Sequence, residues 1–223
     1  MDMVSLWASL SIWLACLWVA FWQCYFIYKV MDILGKNPKM TPFFLTIAIL
    51  WVALIESSAI FWLIVAMQLL WAEFSSPLAS LWAWLAIWLT WLWVWMWEWL
   101  IVEQAVVAAN KNTDEKNKIL SYMILLIALV ESTAIYWIIV AMRIIWEKDM
   151  WALVSLWAWL SIWLTGLWVS LWMSFIARKA MEVIWEHTLE NNKIIIPFTI
   201  LWLALIESAA IYWLVIALNI LPL

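Results

Sequence analysis

The chain has 223 residues, of which 70% are hydrophobic and 12% charged. Water-soluble domains carry about 25% charged residues, so this composition excludes an ordinary soluble domain and points to a protein solvated by lipid. The formal net charge is −4, and neither a basic arm nor a large polar domain offers a surface for nucleic acid.

Six apolar segments follow one another, over approximately 3–33, 41–71, 77–109, 118–146, 151–184 and 194–221. A helix needs about 20 such residues to cross a bilayer. Most of the segments exceed that length and are expected to protrude or tilt. None alternates with period two, so they read as helices rather than barrel strands. The expected fold class is an all-α membrane protein with six transmembrane helices arranged as three tandem helical hairpins. The N-terminus has no basic region followed by a small-residue cleavage site, so no removable signal peptide is expected. Cys16 and Cys24 lie within the first segment and read as small packing residues, not as a disulfide or metal site.

The first turn is Gly35-Lys36-Asn37-Pro38, where glycine suits a helix end and proline resists a helix interior. Thr41-Pro42 and Ser76-Pro77 read as caps and first helical residues. A polar loop spans 110–116, and another spans 186–192, with Pro197 near the start of the last helix. His187, the only histidine, reads as a solvated loop residue. Nine basic residues (Lys29, Lys36, Lys39, Lys111, Lys116, Lys118, Arg178, Lys179 and Lys193) flank the connections after the odd helices, against Arg143 and Lys148 on the other side. This bias places those three loops in the cytoplasm and both termini outside.

The chain repeats itself. Leu54-Ile55-Glu56-Ser57-Ser58-Ala59-Ile60-Phe61-Trp62 returns as Leu129-Val130-Glu131-Ser132-Thr133-Ala134-Ile135-Tyr136-Trp137 and as Leu205-Ile206-Glu207-Ser208-Ala209-Ala210-Ile211-Tyr212-Trp213. The glutamates are 75 and then 76 residues apart, while the odd helices keep a spacing of 75. The extra residue therefore falls between helices 5 and 6. The repeat divides the chain into units 1–75, 76–150 and 151–223.

Each unit sets one carboxylate near the middle of a membrane-length run, where it is costly and by default functional. In low dielectric such a group is stable when protonated or paired with a cation, which makes it a reversible carrier of H⁺ or Na⁺. Na⁺ favours several oxygen ligands. Gln23 and Ser57 can supply them to Glu56, and Glu98 and Ser132 to Glu131. Glu207 has Ser208, but Met173 stands where the other units carry Gln23 and Glu98, with Ser174 beside it. Tyr136 and Tyr212 lie five residues after their glutamates, a spacing that alone does not fix a hydrogen bond. Phe61 takes that place in the first unit and lacks the hydroxyl. The alternatives are a carboxylate that only holds two helices together, and hydroxyls that bond their own helix backbone.

These motifs, with the polar loop Lys36-Asn37-Pro38, make the chain resemble the proteolipid rotor subunit of rotary ATPases over nearly its whole length. That family comprises subunit c of F-type and subunit K of V/A-type enzymes. The fused hairpins look more like the V/A-type. A carboxylate in every hairpin, with serine beside it and tyrosine five residues on, looks more like a Na⁺-binding F-type subunit, and the motif favours that branch. The resemblance implies a homo-oligomeric ring in the bilayer that carries Na⁺ or H⁺ on Glu56, Glu131 and Glu207. It also implies a stator subunit with two half-channels separated by an arginine, and a central stalk met by the polar loops. Tyr136 and Tyr212 would steady the carboxylates. Such a subunit has no cofactor and is not a self-sufficient enzyme, and no glycine-rich phosphate loop is visible. The competing reading is a Trp-rich six-helix membrane protein, designed or structural, or a simple ion channel.

One departure is large. The family's first helix is a glycine ladder, whereas this chain has 26 tryptophans and 2 glycines. The tryptophans run through the full depth of the odd helices, unlike an interfacial belt. Between units, Cys16 aligns with Trp91 and Gly166, Ala20 with Trp95 and Ser170, and Cys24 with Trp99 and Ser174. The largest side chain thus exchanges with the smallest, at positions where close helix approach depends on small residues. The exchange predicts that most or all of these codons are read as glycine in the source organism. UGA encodes glycine in some bacterial lineages and tryptophan in a common alternative code. A deliberate Gly→Trp redesign is the other explanation.

Overall fold

In lipid a backbone N–H finds no water, so a spanning segment must satisfy its own hydrogen bonds, and long apolar runs therefore fold as helices. A computed structural model of the chain describes residues 3–73, 77–147, 152–186 and 189–221. Within them lie α1 (Met3–Lys36), a short 3-10 turn (Pro38–Met40), α2 (Thr41–Trp71), α3 (Pro77–Lys111), α4 (Lys116–Trp146), α5 (Ala152–Glu186) and α6 (Leu189–Ile220). All six helices are long and apolar enough to cross a membrane, which is the architecture of a multi-pass membrane protein. The chain is all-α, with no strand among the described residues. A 34-residue helix such as α1 is about 50 Å long, well beyond the roughly 30 Å hydrocarbon core. The ends therefore stand in the headgroup region, where Lys36–Asp32, Lys118–Glu115 and Lys179–Glu182 pair at 2.9 Å.

Several local expectations change. Thr41 does not cap α2: Met40 holds the cap position, and Thr41 Oγ1 donates instead to Pro38 O at 2.7 Å. The 3-10 turn has already oriented the chain, so Thr41 is helical. Pro197 lies inside α6, two turns in rather than within its first turn. The helix begins at Leu189, and proline removes the N–H that would have bonded the carbonyl four residues back. Cys16 and Cys24 are free thiols exposed on α1 rather than packed in the core. Ser76 and His187 lie outside the described residues.

Helices adjacent in sequence pack on one another throughout, most extensively α1 on α2, α3 on α4 and α5 on α6, and less so α4 on α5 and α2 on α3. The odd helices also pack as a row, α1 on α3 and α3 on α5, and the even helices as a second row, α2 on α4 and α4 on α6. Among the described residues no substantial packing joins α1 to α5 or α2 to α6. The two rows therefore form an open slab whose free edges are α1/α2 and α5/α6. Side chains tie the slab at both ends. Asn37 Nδ2 donates to Asn110 Oδ1 at 3.2 Å, and Trp146 Nε1 donates to Gln68 Oε1 at 3.3 Å.

The row of odd helices is filled with indoles. Trp7 stacks on Trp84 with centroids 5.1 Å apart, and Trp82 stacks on Trp159 at 5.2 Å. Trp84 and Trp88 stack along α3, as do Trp159 and Trp163 along α5. Buried tryptophans ordinarily find an acceptor for the indole N–H. Here the Nε1 atoms of Trp7, Trp18, Trp22, Trp51, Trp62, Trp84, Trp93, Trp97, Trp159 and Trp163 are buried with no partner. Each buried donor left unpaired costs about 1–3 kcal/mol. At Gly166 the fit is of another kind. Gly166 lies directly against the buried Trp137 ring, and a Cβ built at Gly166 would overlap that ring.

Candidate functional site

The repeat places its carboxylates at one level. Glu56 and Glu131 are each the central residue of a 31-residue helix. Glu207 lies somewhat past the middle of the 32-residue α6, because that helix begins earlier than the repeat requires. Arg143–Glu147 and the helix-end pairs are the ion pairs seen near the spans. Among the described residues no lysine or arginine pairs with Glu56, Glu131 or Glu207.

In the first unit, Gln23 Nε2 on α1 donates to Glu56 Oε1 on α2 at 3.3 Å. The sequence pairing of these two residues is thus present as a contact. Glu56 is exposed at the free α1/α2 edge. The side chain of Ser57 lies outside the described residues.

The third unit is held differently from the expectation. Glu207 on α6 receives Tyr136 OH from α4 at 2.6 Å, and Ser132 Oγ, also from α4, lies 2.6 Å from the same Oε1. Ser132 Oγ is equally 2.6 Å from Leu129 O of its own helix, so its single proton serves one acceptor at a time. The grouping of Ser132 and Tyr136 with Glu131 therefore gives way to a grouping with the next unit's carboxylate. Helical geometry explains it. One residue advances a helix by about 100°, and five residues by about 140° after a full turn. Ser132 and Tyr136 thus share a face that points well away from Glu131. The sequence held this signal in the paired spacings of one and five. Short O–H···O contacts of this kind are typical of hydroxyls donating to a carboxylate.

The corresponding groups of the third unit find no such partner within the chain. Ser208 Oγ donates to Leu205 O at 2.7 Å, and Tyr212 is 68% exposed at the α5/α6 edge. Met173 is fully buried and adds no ligand. Ser174 Oγ is buried without a partner and makes no bond to Glu207.

In the second unit Glu98 on α3 is 3% exposed, and α3 packs against α4, which carries Glu131. Glu98 Oε1 has no hydrogen-bond partner. Among the described residues no three of His, Cys, Asp and Glu gather as a ligand cluster. The sites instead offer one or two carboxylates with hydroxyl or amide oxygens, a donor set suited to a proton or a hard monovalent cation. No family model matches the chain, and no curated protein is similar to it.

Proposed function

We propose that the chain is the rotor-ring subunit of a rotary ATP synthase or ATPase, built as three tandem hairpins that each carry one exchangeable Na⁺ or H⁺. The observation that carries this reading is the bond from Ser132 and Tyr136 of the second unit to Glu207 of the third. A site shared between successive units asks for a further unit at each end. Gln23 and Glu56 stand at the leading edge with a carboxylate, and Ser208 and Tyr212 stand at the trailing edge with hydroxyls. Joining copies head to tail makes the same site between chains and closes into a ring. The open slab of two rows is the matching sector of such a ring, with odd helices in one row and even helices in the other.

Ion exchange follows from charge. Without a basic partner, each carboxylate must be neutralised by a mobile cation before it faces lipid. In the ring, a site loads from one half-channel of a stator subunit and unloads into the other after nearly a full turn. The serine–carboxylate–tyrosine arrangement favours the F-type over the V/A-type. The basic ends after α1, α3 and α5 lie in the cytoplasm with the central stalk, and both termini lie outside.

Carbodiimide labelling of native membranes tests the proposal, because the reagent attacks neutral carboxyls. Glu56, Glu131 and Glu207 should react, and Na⁺ should slow the reaction if Na⁺ is the cargo. No modification at any of the three overturns the rotor reading in favour of a structural protein or a simple channel. Labelling indifferent to Na⁺ assigns H⁺ as the cargo.

A further inference from the structure

Charge and cavity also meet away from the level of the mid-helix glutamates. Near one end of the seam between α1 and α3, a cavity of about 200 Å³ opens between the two helices. Its walls are apolar, with Phe26 and Ile33 from α1 and Trp99 and Val106 from α3. Its rim is charged, with Lys29 and Asp32 from α1 and Glu103 from α3. Asp32 is matched by Lys36 at 2.9 Å. Lys29 Nζ rests 5.6 Å from the centroid of the Tyr25 ring. Among the described residues neither Lys29 nor Glu103 forms an ion pair. One cation and one anion, both half-buried, therefore face the same space from different helices without meeting. Lys29 is about ten residues past the middle of α1, and Glu103 about nine past the middle of α3. At about 1.5 Å per residue both lie roughly 14 Å from the helix centres, where a hydrocarbon core about 30 Å thick gives way to headgroups.

We propose that this cavity holds the headgroup of an aminophospholipid such as phosphatidylethanolamine, with its phosphate on Lys29 and its ammonium on Glu103. The inference needs only the multi-pass membrane architecture and stands apart from the rotor reading. Opposite charges held apart and partly out of water are costly, and a zwitterion matches both at once. A primary ammonium donates hydrogen bonds to a carboxylate, which the quaternary ammonium of a choline headgroup has no proton to do. The volume equals that of about seven water molecules at ~30 Å³ each, room for a headgroup while the acyl chains stay in the bilayer. The repeat makes the site single. The place of Lys29 is taken by Gln104 in the second unit, and that of Glu103 by Arg178 in the third. The α3/α5 seam thus has no anion in these roles, and each chain takes one such lipid. The charged pair involves no tryptophan position, so it stands whichever residue occupies position 99. Glycine there deepens the apolar part of the cavity.

Native mass spectrometry of the full chain in its native assembly gives the test. The assembly is first equilibrated with vesicles holding phosphatidylethanolamine, phosphatidylglycerol and phosphatidylcholine in equal amounts. It should then retain one phosphatidylethanolamine per chain, about tenfold in preference to either other lipid, as one charged hydrogen bond allows. Lys29→Gln should lower retention of all three lipids, because it removes the partner of their shared phosphate. Glu103→Gln should keep a bound phospholipid but lose the preference for phosphatidylethanolamine. An unchanged assembly mass shows that a variant is folded. If Lys29→Gln does not assemble, the selectivity of Glu103→Gln decides, and if neither assembles, the wild-type preference decides. Equal retention of the three lipids by the wild type, or a preference that persists in Glu103→Gln, overturns the inference and leaves only ordinary surrounding lipid. Displacement of the bound lipid by excess soluble glycerophosphoethanolamine assigns the cavity to a free phosphodiester and overturns the lipid as its occupant. None of these outcomes touches carbodiimide labelling of Glu56, Glu131 and Glu207, so the rotor reading stands or fails separately.

Discussion

The chemistry of the third site turns on two hydroxyls. Tyr136 and Ser132 converge on one oxygen of Glu207 from a helix 71 and 75 residues earlier in the chain. A hydrogen bond to a charged group contributes about 1.5–3 kcal/mol, which corresponds to about tenfold or more in an equilibrium constant. Tyr136→Phe should therefore raise the Na⁺ concentration that protects Glu207 from carbodiimide by about tenfold, and Ser132→Ala should act in the same direction. Protection of Glu56 should be unchanged in both variants, since neither residue touches it. An equal loss at both glutamates would mean that the substitutions disturb the fold rather than the site. This partnership was only half legible in the sequence. The residue types and their level came from the repeat, but Tyr136 read as a companion of Glu131 because the two are neighbours along the chain. Only the turn of the helix, which sends them to different faces, assigns Tyr136 to Glu207.

At the scale of the helix the sequence was more informative. Hydropathy placed all six spans, because a lipid-solvated segment has few ways to be anything but helical. It erred where local chemistry competes with length. Pro197 read as lying near a helix start, yet α6 begins eight residues before it. Cys16 and Cys24 read as packing residues, yet the face of α1 that carries them meets no helix of this chain. The odd helices pose the sharper question. Their indoles stack in the seams between α1, α3 and α5, and among the described residues leave eight buried N–H groups without acceptors. Gly166, by contrast, lets α4 and α5 close until the Trp137 ring lies against bare backbone. The seam at Gly166 has no room for a side chain, whereas the seams of the odd helices hold rings whose polar atoms have nowhere to go. Peptide mass spectrometry of the protein from its native membrane should find glycine at most or all tryptophan positions of α1, α3 and α5. Tryptophan at those positions would require a ring whose inner helices stand farther apart than a glycine ladder allows.

At the scale of the whole molecule, the two edges of the slab should recognise one another. Gln23 and Tyr212 lie at opposite edges, on α1 and α6, which do not pack together within one chain. With Cys16 and Cys24 first replaced by alanine, cysteines at positions 23 and 212 joined by a flexible bis-maleimide should give a ladder of covalent dimers and larger species. A cross-link confined to single chains would mean that the slab closes on itself. Cysteines at 23 and 136 should give no such ladder, because Tyr136 is already engaged inside the chain.

The fusion of three units into one polypeptide has a consequence for the gearing of the proposed machine. A rotor assembled from single hairpins can gain or lose one tooth at a time, and so adjust in small steps how many ions are spent for each nucleotide handled. Here the teeth come three to a chain, so the gear ratio shifts only in jumps of three. The remaining means of fine adjustment is to change the chemistry of one tooth in each triplet.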